Sequence, residues 1–157
     1  MLRDKSLIPL SRQHQHALAL CVGIERAVPI PQGDVKRWQA QVEQHFRSEI
    51  GIHFAAEEKL VFPAARRFED LVPVVAELIA EHGALRGMFE RASRRELTAD
   101  ELRDFAGKLS GHIRKEERVL FEGLQQMMSA EEMAALGAEL DEELKKAVQA
   151  CAVHQKD

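Results

Sequence analysis

Apolar side chains recur at steps of three and four residues along most of the chain, the spacing of one face of an α-helix. Clusters of β-branched residues are few, so the pattern predicts an all-α fold. Prolines, glycines and capping residues divide the chain into five helices. The predicted helices start near Ser11 after Pro9, at Asp34, between Asp70 and Pro73, at Thr98 and at Ser129.

The ends of these helices follow from the same signals. The first is predicted to end at about Val28, before two prolines and a glycine, and the third at about Arg94. The second is predicted to stop or kink at Pro63, because a proline in a helix removes a backbone donor. The connections are short, so neighbouring helices should run antiparallel. Two capping boxes support the later starts, Thr98 with Glu101 and Ser129 with Glu132.

Polar side chains occupy the apolar stripes of the first four helices, at positions that should face the core. Each of these stripes contains one histidine, in chain order His14, His53, His82 and His112. On the second and fourth helices a glutamate follows four residues later, at Glu57 and Glu116. The fifth helix has an ordinary stripe, so it should cover the bundle or form the face of a homodimer. That stripe is Met133, Leu136, Leu140, Leu144 and Val148.

Two of these histidines begin the same short pattern. HFAAEEKLVF, residues 53–62, returns as HIRKEERVLF, residues 112–121. Residues four apart lie one turn apart on the same helix face. His53 with Glu57, and His112 with Glu116, can therefore reach the same metal ion or two adjacent ions.

Buried carboxylates and imidazoles need a compensating charge or hydrogen bond, because an unpaired buried charge costs roughly several kcal/mol. Lys and Arg, which could supply a compensating positive charge, are missing from these stripes. Two metal ions in the bundle core would supply that charge. If each glutamate bridges and each ion takes two histidines, every ion has two nitrogen and two oxygen ligands. An oxo or hydroxo bridge leaves an octahedral ion one open position for a small ligand such as O2 or NO. These ligand types suit iron best, with manganese or zinc as alternatives.

Several neighbouring residues leave alternatives open. His16 lies almost opposite His14 on the helix, and the apolar stripe favours His14 as the ligand. Glu58 and Glu117 follow the proposed glutamate ligands directly, and are expected to be solvated or to support the ligands. They are the fallback ligands if the helix register is different. Three glycines next to the later histidines suggest close helix approach: Gly51, Gly83 and Gly111.

The composition and motifs argue against several other classes of function. The 157 residues suit one domain, here 1–157, and the net charge of −4 with mixed signs gives no basic stripe for nucleic acid. No segment approaches the roughly 18 apolar residues of a membrane span, and no signal peptide is recognisable, so we expect a cytoplasmic protein. Cys21 and Cys151 suggest neither a disulfide framework nor a thiolate zinc site. Phosphate-binding loops and nucleophile motifs are missing as well.

The segments around the four histidines resemble the hemerythrin-like family with the HHE cation-binding domain. They read PLSRQHQHAL, HFAAEEKLVFP, EHGALR and HIRKEERVLF, and the resemblance covers about residues 7–125, with a C-terminal helix at about 129–154. It implies an up-and-down four-helix bundle with a non-haem, carboxylate-bridged di-iron centre. The metal ligands it implies are His14, His53, Glu57, His82, His112 and Glu116.

The chain differs from the oxygen-carrying hemerythrins at two positions. They have a second histidine four residues after that of the third helix, where this chain has Arg86. Their last carboxylate is an aspartate five residues after its histidine, whereas Glu116 follows His112 by four. The ferritin-like proteins use the opposite order, ExxH. The iron-sulfur-cluster repair branch usually carries an N-terminal cysteine-bearing segment that is missing here.

These features predict a metal-binding protein that binds O2, NO or a related small ligand for sensing, storage or stress protection. The alternative is a di-iron enzyme of the oxidase, peroxidase or iron-centre-repair type. The sequence shows no substrate pocket and no acid or base beyond the ligands, so the binding protein is preferred. A third alternative is a purely structural site, in which metals or a metal-free polar network only hold the bundle together.

Overall fold

Five helices make up the computed structural model, which describes residues 1–154 apart from the side chains of Cys151 and His154. Two short 3₁₀ turns, Gln32–Asp34 and Glu69–Leu71, lead into the second and third helices. None of residues 1–154 forms a strand, so the predicted all-α class is confirmed. The helices are α1 (Ile8–Arg26), α2 (35–65), α3 (Val72–Ser93), α4 (99–127) and α5 (Ala130–His154).

The ends of two helices differ from the prediction. α1 begins at Ile8 rather than near Ser11, because Pro9 lies in its first turn, where the missing N–H would have no helical partner. α2 continues beyond Pro63 to Ala65. A π-helical turn, Glu57–Val61, comes directly before that segment and has already interrupted the regular hydrogen-bond ladder. The proline ring is therefore accommodated.

The two predicted capping boxes are present. At the start of α4, Glu101 N–H donates to Thr98 Oγ1 at 3.1 Å, and Thr98 N–H donates to Glu101 Oε2 at 2.8 Å. The box of Ser129 and Glu132 at α5 has the same reciprocal pair, at 3.2 and 2.9 Å. Asp34 occupies the capping position of α2, but its side chain makes no capping hydrogen bond.

Replacing Thr98 by alanine should lower the free energy of unfolding by about 1 kcal/mol, because the N–H of Glu101 loses its acceptor. The change is measured as a shift of the urea midpoint at unchanged slope. Thr98→Ser keeps the hydroxyl and should remain close to the parent. Equal midpoints for the alanine variant and the parent would contradict the role of this cap.

The bundle core consists of two apolar clusters with a polar layer in contact with both. One cluster contains Phe89, Leu102 and Phe105, and the other contains Phe62 and Phe121. The layer consists of buried histidines and glutamates that pack against rings from each cluster. The apolar clusters thus exclude water from the polar layer.

α5 packs along the bundle through the first part of its stripe. Met133, Leu136 and Leu140 are buried in the second apolar cluster, whereas Val148 is 61% exposed. Gly137 allows the close approach, since a Cβ there would lie 2.6 Å from the Cβ of Ser6. The sequence predicted that this helix covers the bundle or forms the face of a homodimer, and these three residues cover the bundle. Across residues 1–154, no helix combines the length and apolar character needed to cross a membrane.

The glycines beside the histidines do not mark close contacts between helices. A Cβ at Gly83 or Gly111 would meet no atom within 4 Å, and Gly111 lines an open groove of about 510 Å³ between α3 and α4. A Cβ at Gly51 would lie 3.1 Å from the carbonyl oxygen of Phe46, in the same helix. The predicted close helix approach is therefore wrong for Gly83 and Gly111.

Candidate metal centre

The polar layer contains all of the predicted metal-binding side chains. Each is at most 3% exposed, and four helices contribute to the layer. His16, the alternative to His14, points away from it: its side chain is 62% exposed and its Nδ1 lies 2.8 Å from Oε1 of Glu49. The side chains brought together are His14, His53, Glu57, His82, His112 and Glu116.

These side chains form two groups that could each hold a metal ion. The first group is His14, His53, Glu57 and Glu116, and the second is Glu57, His82, His112 and Glu116. Within each group the candidate ligand atoms all lie within 4.8 Å of one another. Glu57 and Glu116 belong to both groups, so a pair of ions would share the two carboxylates.

Each shared carboxylate presents one oxygen to each group. For Glu57, Oε1 is 2.9 Å from His53 Nε2 and Oε2 is 3.3 Å from His82 Nε2. For Glu116, Oε2 is 3.0 Å from His14 Nε2 and Oε1 is 3.0 Å from His112 Nε2. This is the arrangement that a carboxylate needs in order to bridge two ions.

The four carboxylate oxygens have no hydrogen-bond partner among the described residues, and neither do His14 Nε2 and His53 Nε2. The imidazole nitrogens approach these oxygens closely but without the angles of a hydrogen bond. Leaving a buried polar atom unpaired costs about 1–3 kcal/mol, and more for charged groups. A cation between the side chains would satisfy these atoms together. Nitrogen and oxygen donors of this kind fit iron, manganese or zinc.

Both shared glutamates begin a π-helical turn. The turns are Glu57–Val61 in α2 and Glu116–Leu120 in α4, at equivalent positions of the repeated decapeptide. π-helical turns inside α-helices are frequent at functional sites, because they locally change which side chains face the core. The repeat therefore encodes the same local backbone as well as the same side chains.

A second set of polar residues holds the histidine rings through their Nδ1 atoms. His14 donates to Glu117 Oε1 at 2.7 Å and His53 to Gln13 Oε1 at 2.8 Å. In α3 and α4, the rings donate in the same way to glutamates. These contacts are His82 to Glu58 at 2.8 Å and His112 to Glu81 at 2.7 Å.

These contacts follow one rule around the bundle. α1 holds the histidine of α2, α2 that of α3, α3 that of α4, and α4 that of α1. A hydrogen bond at Nδ1 fixes the tautomer and directs Nε2 at the centre, as is usual for metal-bound histidines. All four rings are therefore oriented for ligation.

Sequence reasoning found part of this set. Glu58 and Glu117, the fallback ligands, belong to neither metal-binding group and support rings instead. Gln13 and Glu81 were missed. Their only signal in the sequence is that each directly precedes a stripe histidine and so lies about 100° round the helix from it.

A cation contacts each of the three supporting glutamates. Arg86 donates to both oxygens of Glu58, at 2.5 and 3.2 Å. Arg3 donates to Glu117 at 2.7 Å, and Lys115 contacts Glu81. Arg86 stands where the oxygen-carrying hemerythrins have a second histidine, so here that position supports a ring-holding carboxylate.

The carboxylates also shift the pKa values of the histidines. Burial lowers the pKa of His14, but Glu116 and Glu117 outweigh that effect and raise it to about 10. The pKa of His82 is raised to about 9 in the same way, by Glu116 and Glu57 against the effect of burial. Burial raises the pKa of Glu116, but His112 and the other rings hold it well below its usual value. Metal uptake must therefore displace protons from this cluster.

A small cavity lies beside the cluster. Its volume of about 10 Å³ corresponds to one water-sized sphere. Its polar lining consists of Gln13, His14, Glu49, His53, His112 and Glu116. The remaining lining is apolar, from Ala17, Ile50, Phe54, Leu109 and Ile113.

Comparison with known proteins gives one match. The family model described as the hemerythrin HHE cation binding domain matches residues 9–124, which include both candidate metal-binding groups. No curated protein and no solved structure matches the chain.

Proposed function

The chain belongs to the hemerythrin HHE cation-binding domain family, and from that membership we propose that it holds two iron ions and binds a small ligand such as O2 or NO. The first group would hold one ion and the second group the other, with an oxo or hydroxo bridge between them. Binding of the small ligand would serve sensing, storage or stress protection.

One observation carries this proposal: Glu57 and Glu116 are 0% exposed and lie between two pairs of histidines. Two buried carboxylates shared by four imidazoles give a dinuclear site its symmetry and its charge balance. Iron in such a site supplies redox chemistry and an exchangeable ligand position. The protein contributes the orientation of the rings and the exclusion of water.

The small cavity favours a diatomic ligand over an organic substrate. Its volume of about 10 Å³ suits a molecule of two or three atoms, and its lining combines apolar side chains with polar side chains of the cluster. Pockets for organic ligands are typically about 300–1,000 Å³. A binding function therefore fits the small cavity, whereas the groove of about 510 Å³ beside His112 is where the di-iron enzyme alternative would hold an organic substrate.

Metal content and absorption test the proposal. Protein produced in iron-replete medium should contain two irons per chain by elemental analysis. Its absorption should be that of an oxo-bridged pair, changing on reduction and on exposure to O2 or NO. Stoichiometric zinc with no iron-dependent spectrum would overturn the proposal. Sustained turnover of O2 or peroxide would favour the enzyme alternative.

Two further parts of the proposal concern the setting of the protein. The cytoplasm stays the predicted location. A homodimer through α5 stays a prediction for the part of its stripe beyond Leu140, where Val148 is exposed. Sedimentation of the parent and of Val148→Asp would test this dimer. The parent should sediment as a dimer, and the variant, which places a charge in the interface, as a monomer.

A further inference from the structure

The residues that hold the four histidine rings are not chemically equivalent. In the second group both rings donate to carboxylates, His82 to Glu58 and His112 to Glu81. In the first group His14 also donates to a carboxylate. His53 differs, because its Nδ1 donates to the neutral amide oxygen of Gln13.

A carboxylate and an amide support a ligand to different degrees. A hydrogen bond to an ionised acceptor is roughly twice as strong as one between neutral groups. It draws the Nδ1 proton away from the ring, which makes Nε2 a stronger donor to a metal. Nε2 of His53 should therefore bind a metal ion most weakly of the four, although the Nδ1 hydrogen bond of 2.8 Å is as short as that of His82.

The neighbouring cations reduce this difference but do not remove it. Arg86 and Lys115 neutralise Glu58 and Glu81, while Arg3 neutralises Glu117. These cations contact the carboxylates rather than the rings, so they lie one contact further from the metal positions. Their side chains are also 18–38% exposed, which adds solvent screening. The directly bonded acceptor remains the main difference between the groups.

We propose that the two metal positions differ in affinity, that the His82 and His112 group fills first, and that Gln13 sets the difference. This inference rests on the proposed function. The two positions also border the small cavity unequally, since both histidines of the weaker position and Gln13 line it, whereas His112 is the one histidine of the tighter position that does. The ion that exchanges more readily is then the one with more of its ligands beside the space for a small ligand.

Titration of the metal-free protein with Co²⁺, followed by its visible absorption, tests the inference. The parent should bind two ions in two steps whose affinities differ about 10- to 100-fold, the range typical of changes in a ligand's outer partner. His53→Ala should remove the weaker step, and His112→Ala should remove the tighter one. A single step with two equivalent ions in the parent would overturn the inference.

Two variants should bring the steps together from opposite directions. Gln13→Glu gives His53 a carboxylate partner and should raise the weaker affinity to that of the tighter step. Glu81→Gln gives His112 an amide partner and should lower the tighter affinity to that of the weaker step. Because the two effects have opposite signs, a general loosening of the fold cannot produce both.

Gln15→Glu is the matched control, because it adds the same charge to α1 on an exposed residue. It should leave both steps unchanged. If Gln13→Glu also leaves the separation unchanged, Gln13 does not set it and the inference fails. A parent protein that takes up no metal would overturn the proposed function together with the inference, whereas two equal steps overturn the inference alone.

Discussion

Replacing Glu57 by glutamine is expected to abolish the binding of both metal ions, whereas replacing His14 by alanine is expected to abolish the binding of one. Glu57 presents one oxygen to each group, so its loss removes a ligand and a negative charge from both positions. His14 belongs to the first group alone. The loss of affinity in Glu57→Gln should exceed the roughly 10- to 100-fold that loss of an outer partner costs.

The measurement is metal content per chain after equilibration with iron and removal of free ions. The parent should retain two ions, His14→Ala one and Glu57→Gln none. His16→Ala is the matched control for His14, because this histidine is exposed and lies outside both groups, and it should retain two. Circular dichroism shows whether each variant keeps its helices. Retention of two ions by folded Glu57→Gln would show that the carboxylate is not shared.

The sequence was sufficient to predict which side chains would meet. A helical stripe is defined by spacing alone, and residues on four such stripes must converge when the stripes form one core. The histidines and glutamates predicted from the stripes are the ones the structure brings together. The stripes predicted that these side chains face the core, and each is at most 3% exposed. The same burial excludes water from the site. Their role as ligands stays a prediction.

The stripes do not predict all of the residues that hold the histidine rings. Gln13 and Glu81 lie beside a stripe rather than in it, and their target depends on which helix is the next neighbour and on its rotation. Spacing along one helix contains no information about either. Arg86 shows the same limit, because only the packing of α3 against α2 reveals that it holds Glu58.

Local backbone exceptions were also beyond the sequence pattern. The π-helical turns at Glu57 and Glu116 fall within continuous helices, and neither turn contains a proline or glycine. The first of them comes directly before Pro63, and α2 continues two residues beyond that proline instead of stopping at it. Because the decapeptide and the π-helical turn are both repeated, the two halves of the site place their carboxylates with the same local backbone conformation.

Removing the metal is expected to lower the melting temperature of the protein by about 10–20 °C. A ligand that binds only the folded state stabilises it by about 2.7 kcal/mol when its free concentration is 100 times its Kd, so two ions contribute about 5 kcal/mol. For a domain of this size each kcal/mol shifts the melting temperature by about 2–4 °C. The measurement is thermal unfolding followed by circular dichroism, with iron-loaded protein and with protein treated with a chelator.

Variants separate this stabilisation from other effects of iron and chelator. Glu57→Gln should melt at one temperature whether or not iron is present, since it holds no ion. His14→Ala should keep at least half of the metal-dependent shift, because the tighter group remains intact. Equal melting temperatures for the loaded and the metal-free parent would mean that the fold gains nothing from metal. The rings of His14 and His82, whose pKa values are raised by Glu57 and Glu116 against the effect of burial, would then be sufficient compensation for the buried carboxylates.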